Sequence, residues 1–255
     1  MNFSRVKTYS SISYAFDLQF MEDISQAMPL NQKDVLLDVG CGLGILTKLL
    51  SKRVGKVKAF DNSPEMIKEA KEISKAENIT YSVGDATKLS TNEEYRNSFD
   101  KVVAHFTLHW MKDYKTALEG IYQSLKPGGQ CFVDTGHQSP QIINTITLLN
   151  CYTSPKLETF MKGYVHAYYP FEGTADNFKQ MLADIGFKDI ECKHTVIAKP
   201  IKYNEAKEFY PNFMGQLGRF PEDCREEYIE EAVKYVWDTG HKDDQDHNFS
   251  YLRCR

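Results

Sequence analysis

Leu37-Asp38-Val39-Gly40-Cys41-Gly42-Leu43-Gly44 is the stretch on which the reading of this chain turns. Val35 to Val39 is a short apolar run suited to a buried strand, and Leu46 to Arg53 continues as a helix opened by Gly44. A glycine-rich turn between a first strand and a helix places a ligand beyond the carboxyl end of that strand. The turn is not a P-loop, because it lacks Gly-Lys-Ser/Thr. It also fails as a dinucleotide fingerprint: Gly40 and Gly42 fit, but Ile45 stands at the third glycine position, and the third glycine falls at Gly44. Asp38 discriminates further. A carboxylate two residues before Gly40 disfavours a pyrophosphate and favours a cation.

Working outward, strands and helices alternate. Val57 to Asp61 reads as a second strand, and Ser63-Pro64 opens a helix that runs to about Glu77. Ile79 to Val83 and Phe99 to Ala104 are a third and fourth strand. Tyr114 to Leu125 is a helix stopped by Lys126-Pro127-Gly128-Gly129, and Gln130 to Asp134 is a fifth strand. This rhythm predicts an α/β fold, a doubly wound, mostly parallel sheet with helices on both faces. Further on, helices are expected over Pro140 to Tyr152, Thr174 to Ile185, Tyr203 to Gly218 and Pro221 to Trp237. Strands are expected over Asp189 to Ala198 and His247 to Cys254.

Two more acids complete a nucleoside site. Asp61, followed by Asn62, ends the second strand, where a carboxylate can accept both ribose hydroxyls. Gly84-Asp85-Ala86 follows the third strand and can meet the adenine amino group, and Met66 is placed to pack on the adenine ring. S-adenosylmethionine carries an ammonium, a sulfonium and no phosphate, which suits Asp38 and the turn of Gly40, Cys41, Gly42 and Gly44. His105 borders this ligand as a wall.

Composition sets outer limits. The 255 residues suit one large domain, and the net charge of −4 comes with no basic block, so nothing argues for a nucleic-acid partner. The six cysteines are scattered without a Cys-x-x-Cys pair, which is neither a zinc nor a compact disulfide pattern and fits a reducing compartment. No stretch approaches the ~20 apolar residues of a spanning helix, and no signal peptide is evident, so no membrane partner and a cytoplasmic location are expected.

Residues 34 to 134 resemble the class I methyltransferases, which bind S-adenosylmethionine at these motifs. The resemblance implies a Rossmann-like, seven-stranded sheet with an antiparallel last strand, which His247 to Cys254 could supply. It also implies a single domain over 1-255: an N-terminal helix region (1-33), a cofactor-binding core (34-135) and a helical cap for the acceptor pocket (136-255). The loop His105-Phe106-Thr107-Leu108-His109-Trp110 faces cofactor and acceptor in that fold. With Leu18-Gln19 on an N-terminal helix, the Tyr-rich segment from Tyr164 to Tyr169 and Gly186 to Cys192, it looks like the juvenile hormone acid methyltransferases of arthropods. That resemblance implies carboxyl O-methylation of farnesoic acid or its epoxide in juvenile hormone biosynthesis, with Gln19 and Trp110 holding the carboxylate. His109 and Tyr168 are expected against the substrate, no metal is expected, and the protein is expected as a monomer or homodimer. Other small acids, amines or hydroxyls are the alternative acceptors, and for an amine or hydroxyl His109 would serve as a general base.

Overall fold

The computed structural model describes residues 11–136, 158–165, 167–199, 203–214, 217, 219–240 and 247–254. The helix expected over Pro140 to Tyr152 lies outside them. The chain divides into two compact units. The larger comprises Tyr14–His137, Tyr168–Thr195 and Tyr251–Arg255; the smaller comprises Met1–Ser13, Gln138–Ala167 and Val196–Ser250.

The larger unit is built on five parallel strands: β1 (Val35–Val39), β2 (Lys56–Asp61), β3 (Ile79–Val83), β4 (Phe99–His105) and β5 (Leu125–Gly136), in the order β3-β2-β1-β4-β5. Their side chains alternate across the sheet. Leu36, Val57, Ala59, Val103 and Phe132 face the helix α1 (Ser11–Ala27), α2 (Ile45–Ser51) and α3 (Pro64–Ile73) through Ile24, Met28, Leu46, Leu50, Ile67 and Ala70. Leu37, Val39, Val102, Ala104 and Val133 face α4 (Tyr114–Ser124) on the other side through Ala117, Leu118 and Ile121. Asp38 shares the face of Leu36, so it points toward α2. β7 (His247–Cys254) lies antiparallel against β5, from Val133↔Cys254 to Gly136↔Tyr251, and the strand order continues to β6 (Cys192–Lys199).

Local chemistry explains the element ends. Ser63 accepts from the Met66 amide and Pro64 occupies the first turn of α3. Thr174 and Asn177 form a reciprocal capping box at the start of α6 (Ala175–Ile185), and Gly186 ends it with φ 120°. At the fifth strand the expected boundary fails. Lys126 to Gly129 is not a loop before the fifth strand but part of β5: Leu125 already pairs with Phe99, and the ladder resumes at Lys101↔Gln130. Four residues on β5 thus oppose Asp100 alone, a bulge that Gly128 permits at φ 78°.

The smaller unit holds α5 (Glu158–Met161), α7 (Tyr203–Phe209), a 3₁₀ turn (Tyr210–Phe213) and α8 (Glu222–Gly240). Tyr210, Met214, Leu217, Phe220, Tyr228 and Val233 form its core, with the Phe220 and Tyr228 rings stacked at 4.2 Å. Pro211 has no amide hydrogen and breaks the longer helix expected over Tyr203 to Gly218. Cys192 is disulfide-bonded, while Cys41, Cys131 and Cys224 are not. The scattered spacing of the cysteines gave no sign of that bond. No described helix is long and apolar enough to cross a membrane.

Candidate active site

The turn after β1 is held by its own backbone. Gly40, Gly42 and Gly44 have φ of 74°, 52° and 71°, the left-handed region where a side chain is strained. A Cβ on Gly40 would come within 2.3 Å of Thr107, and one on Gly44 within 2.4 Å of the Tyr81 hydroxyl; one on Gly42 would meet nothing within 4 Å. Gly40 and Gly44 are therefore glycines for packing, and Gly42 faces open space where a ligand can lie against the backbone.

Four amides of the turn, those of Gly40, Cys41, Gly42 and Gly44, are already engaged. The Gly40 and Cys41 amides donate to the Phe60 carbonyl at 2.8 and 3.0 Å, and Gly44 donates to the Cys41 carbonyl at 2.9 Å. Gly42 donates to Asp61 Oδ2 at 3.0 Å. A phosphate-binding turn leaves such amides free for the anion. Here they are not, which agrees with Asp38 in excluding a pyrophosphate.

Asp38 is buried and accepts from the Thr47 hydroxyl at 2.6 Å. Burial pushes its carboxyl up to about 6, opposed by the Thr47 hydrogen bond. Cys41, half-buried beside it, has its thiol pushed well up by burial and by the nearby carboxylates, so it is no nucleophile. Asp61 also accepts from the Ser63 amide at 2.9 Å, which aims the carboxylate across the turn. Asn62 is exposed beside it and Met66 is half-buried in the first turn of α3. Gly84 donates to the Asp61 carbonyl at 2.9 Å, so the end of β3 is tied to the end of β2. Ala86 is buried. Asp85 is exposed, and its Oδ1 is engaged in capping the 3₁₀ helix Ala86–Thr91 through the Thr87 amide and hydroxyl.

The loop after β4 is tied down as tightly. His105 Nδ1 lies 3.1 Å from the fully buried Asp134, its register partner on β5. Phe20 of α1 packs on the His105 ring at 4.2 Å and edge-on to Phe106 at 5.3 Å. Phe106 itself sits at φ 46°, a rare conformation for a bulky residue. Thr107 donates to the Gly40 and His105 carbonyls, joining this loop to the turn after β1. The short 3₁₀ helix Leu108–Trp110 follows.

His109 is buried; its Nδ1 accepts from the Gly136 amide at 2.9 Å, and burial pulls the ring down to about 3, so it is neutral. The Tyr168 ring lies 5.3 Å from His109 and 5.5 Å from Trp110, and burial raises its hydroxyl. His109, Trp110 and Tyr168 are thus brought together. Gln19 is not among them: it is on the exposed side of α1, its amide donating to Asp23 at 3.0 Å. Sequence reasoning missed Thr47, Thr107, Asp134 and Gly136. Only Thr47 carried a signal, a polar residue at a helical position that faces the sheet. No group of three or more His, Cys, Asp or Glu among the described residues could hold a metal ion.

The donor set suits S-adenosylmethionine: a buried carboxylate for an ammonium, a second for a ribose diol, and an open glycine between them. Fold and site together define an S-adenosylmethionine-dependent methyltransferase. A family model described as a methyltransferase domain matches residues 37–133. The chain belongs to this family. It is 30% identical over 220 residues to juvenile hormone acid O-methyltransferase of Drosophila melanogaster, covering 80% of this chain and 71% of that protein. It is 30% identical over 129 residues to a malonyl-[acyl-carrier protein] O-methyltransferase of Priestia megaterium, covering 50% of this chain and 45% of that protein. The structure of a Haemonchus contortus phosphoethanolamine N-methyltransferase in complex with S-adenosyl-L-methionine superposes with a TM-score of 0.58 at 20% identity, over 93% of this chain and 51% of that one.

Proposed function

We propose that this methyltransferase acts on the carboxylate of a small apolar acid, with farnesoic acid or juvenile hormone acid as the representative substrate. The observation that carries the reading is the cluster of His109, Trp110 and Tyr168, neutral donors among aromatic rings. Such groups orient an anion without neutralising it. The relative from Drosophila melanogaster is an acid O-methyltransferase by name, which supports the same class.

A carboxylic acid with an ordinary pKa of about 4 is ionised at neutral pH and needs no base. Bound S-adenosylmethionine supplies an electrophilic methyl group on a sulfonium. Trp110 and Tyr168 orient the acceptor, and Gln19 exchanges its exposed bond to Asp23 for the acceptor's carboxylate. Placement of this kind supplies up to about 7–11 kcal/mol. The reaction turns an anion and a cation into neutral products, so the aromatic surroundings favour it by excluding water. Asp38 takes the cofactor's ammonium and Asp61, with Asn62 beside it, the ribose; Met66, Gly84, Asp85 and Ala86 flank the adenine, and His105 walls the methionine end.

Incubation with methyl-labelled cofactor and a panel of acids, amines and phenols tests the acceptor class. Label is expected in the apolar acids; label confined to amines or phenols sinks the proposal. In Gln19→Ala, turnover of the acid should fall about 10- to 100-fold, the worth of one hydrogen bond to a charged group, while cofactor affinity stays put. Unaltered kinetics in that variant would remove Gln19 from the clamp.

A further inference from the structure

We infer that His109 is a locked donor: the Gly136 backbone N–H fixes its ring as the Nε2–H tautomer, and Nε2–H holds the non-reacting oxygen of the acceptor. The inference deepens the carboxylate reading above and rests on it for the identity of the acceptor.

The lock follows from hydrogen-bond chemistry. A backbone amide can only donate. Gly136 N lies 2.9 Å from His109 Nδ1, so Nδ1 must present its lone pair and the ring's single proton sits on Nε2. A proton on Nδ1 would put two donors face to face. Neither partner can turn away. Gly136 ends β5, and a Cβ there would come within 2.7 Å of the Tyr168 hydroxyl and 3.2 Å of His109 Cγ. The His109 carbonyl accepts from the Tyr169 amide at 2.6 Å, which pins the backbone as well. The rings of Phe106, Trp110 and Tyr168 stand 6.2, 5.1 and 5.3 Å from the imidazole.

The second observation is what remains of the ring. The residue is 4% exposed, the hydrogen bond given to its ring is the one at Nδ1, and Nε2 is not among the fully buried side-chain atoms left without a partner. Nε2–H is thus the ring's remaining donor for a ligand's acceptor atom. A carboxylate brings two oxygens: one attacks the methyl group, and the other can accept from Nε2–H. An amine brings a single lone pair, which is the nucleophile, and a donor pointed at it would block the attack. The same lock removes His109 as a general base, since its one lone pair is committed to Gly136. The locked tautomer thus selects for acceptors with an oxygen to spare and against amines.

The titratable groups near His109 are His105 on β4, paired with Asp134 on β5, and Tyr168. Histidine-labelled protein with S-adenosylhomocysteine bound, followed by long-range proton–nitrogen NMR, should show a bare Nδ1 and a protonated Nε2 at position 109, unchanged across the neutral range. The opposite tautomer, or titration of His109 near the ordinary imidazole value, overturns the lock. Farnesoate added to that complex should move the Nε2–H proton downfield; an unmoved signal overturns the positioning role even if farnesoate proves to be a substrate. If the signal moves but no acid in the panel becomes methylated, the lock and the anion contact stand and the proposed reaction fails. In kinetics, His109→Leu should cut kcat/KM for the acid about 10- to 100-fold with cofactor affinity retained, and His109→Gln, which keeps an N–H donor, should restore most of it. Equal losses in both variants would mark a merely structural residue.

Discussion

Asp38, proposed above to take the cofactor's ammonium, is expected to set the pH dependence of cofactor binding. Its carboxyl is raised to about 6 because burial penalises the charge more than Thr47 supports it. Only the ionised form attracts an ammonium. Protonation therefore competes with the cofactor: affinity is full above about 6 and falls as the pH drops through it. S-adenosylmethionine should bind about tenfold more weakly near pH 5 than near pH 7.5. Calorimetry at the two pH values checks this, and Asp38→Asn should bind weakly at both with the pH dependence gone. The residue type and place of Asp38 were legible from the strand-turn-helix pattern. Its raised carboxyl was not, because the desolvation comes from α1 and α2 closing over it and the one stabilising bond comes from Thr47, nine positions along.

At the scale of the element, the turn after β1 has glycines of two kinds. Gly40→Ala forces a left-handed alanine and drives its methyl into Thr107, so about 2–4 kcal/mol of stability should be lost. Gly42→Ala meets open space and should cost only about 1–2 kcal/mol of backbone strain, yet place its methyl in the proposed path of the cofactor. Thermal denaturation with calorimetry should separate them, the first variant failing in stability and the second in cofactor affinity; equal stability losses would refute the distinction. The five parallel strands were legible because each is a short apolar run closed by turn chemistry. Two elements were misread for identifiable reasons. Lys126 to Gly129 has the composition of a terminator but is absorbed into β5 as a bulge, since Leu125 has already paired with Phe99. The helix from Tyr203 stops at Phe209 because Pro211 cannot continue it. The link from Gly136 to His109 had no sequence signal, because it joins positions 27 apart that meet only when β5 lies beside the loop after β4.

At the scale of the whole molecule, each compact unit has its own core, and every residue proposed above to hold the cofactor belongs to the larger one. Phe220→Ala empties the stack with Tyr228 in the smaller unit and should cost about 3–5 kcal/mol. With the larger unit intact, the affinity for S-adenosylmethionine at low temperature should be unchanged within error. Loss of cofactor binding at a temperature where the variant is still folded would mean that the two units are energetically one.

The spent amides of the glycine turn have a consequence for life among competing metabolites. Cells hold ATP and other adenylates in abundance, and each shares its adenosine with the cofactor. Discrimination by adenosine contacts alone would leave the enzyme saturated with the wrong compound. A turn in which four amides already donate inward, with a carboxylate behind it, offers a triphosphate repulsion and few free donors. Rejection of the commonest adenosine compounds is thus built into the backbone, before any side chain reads the methionine.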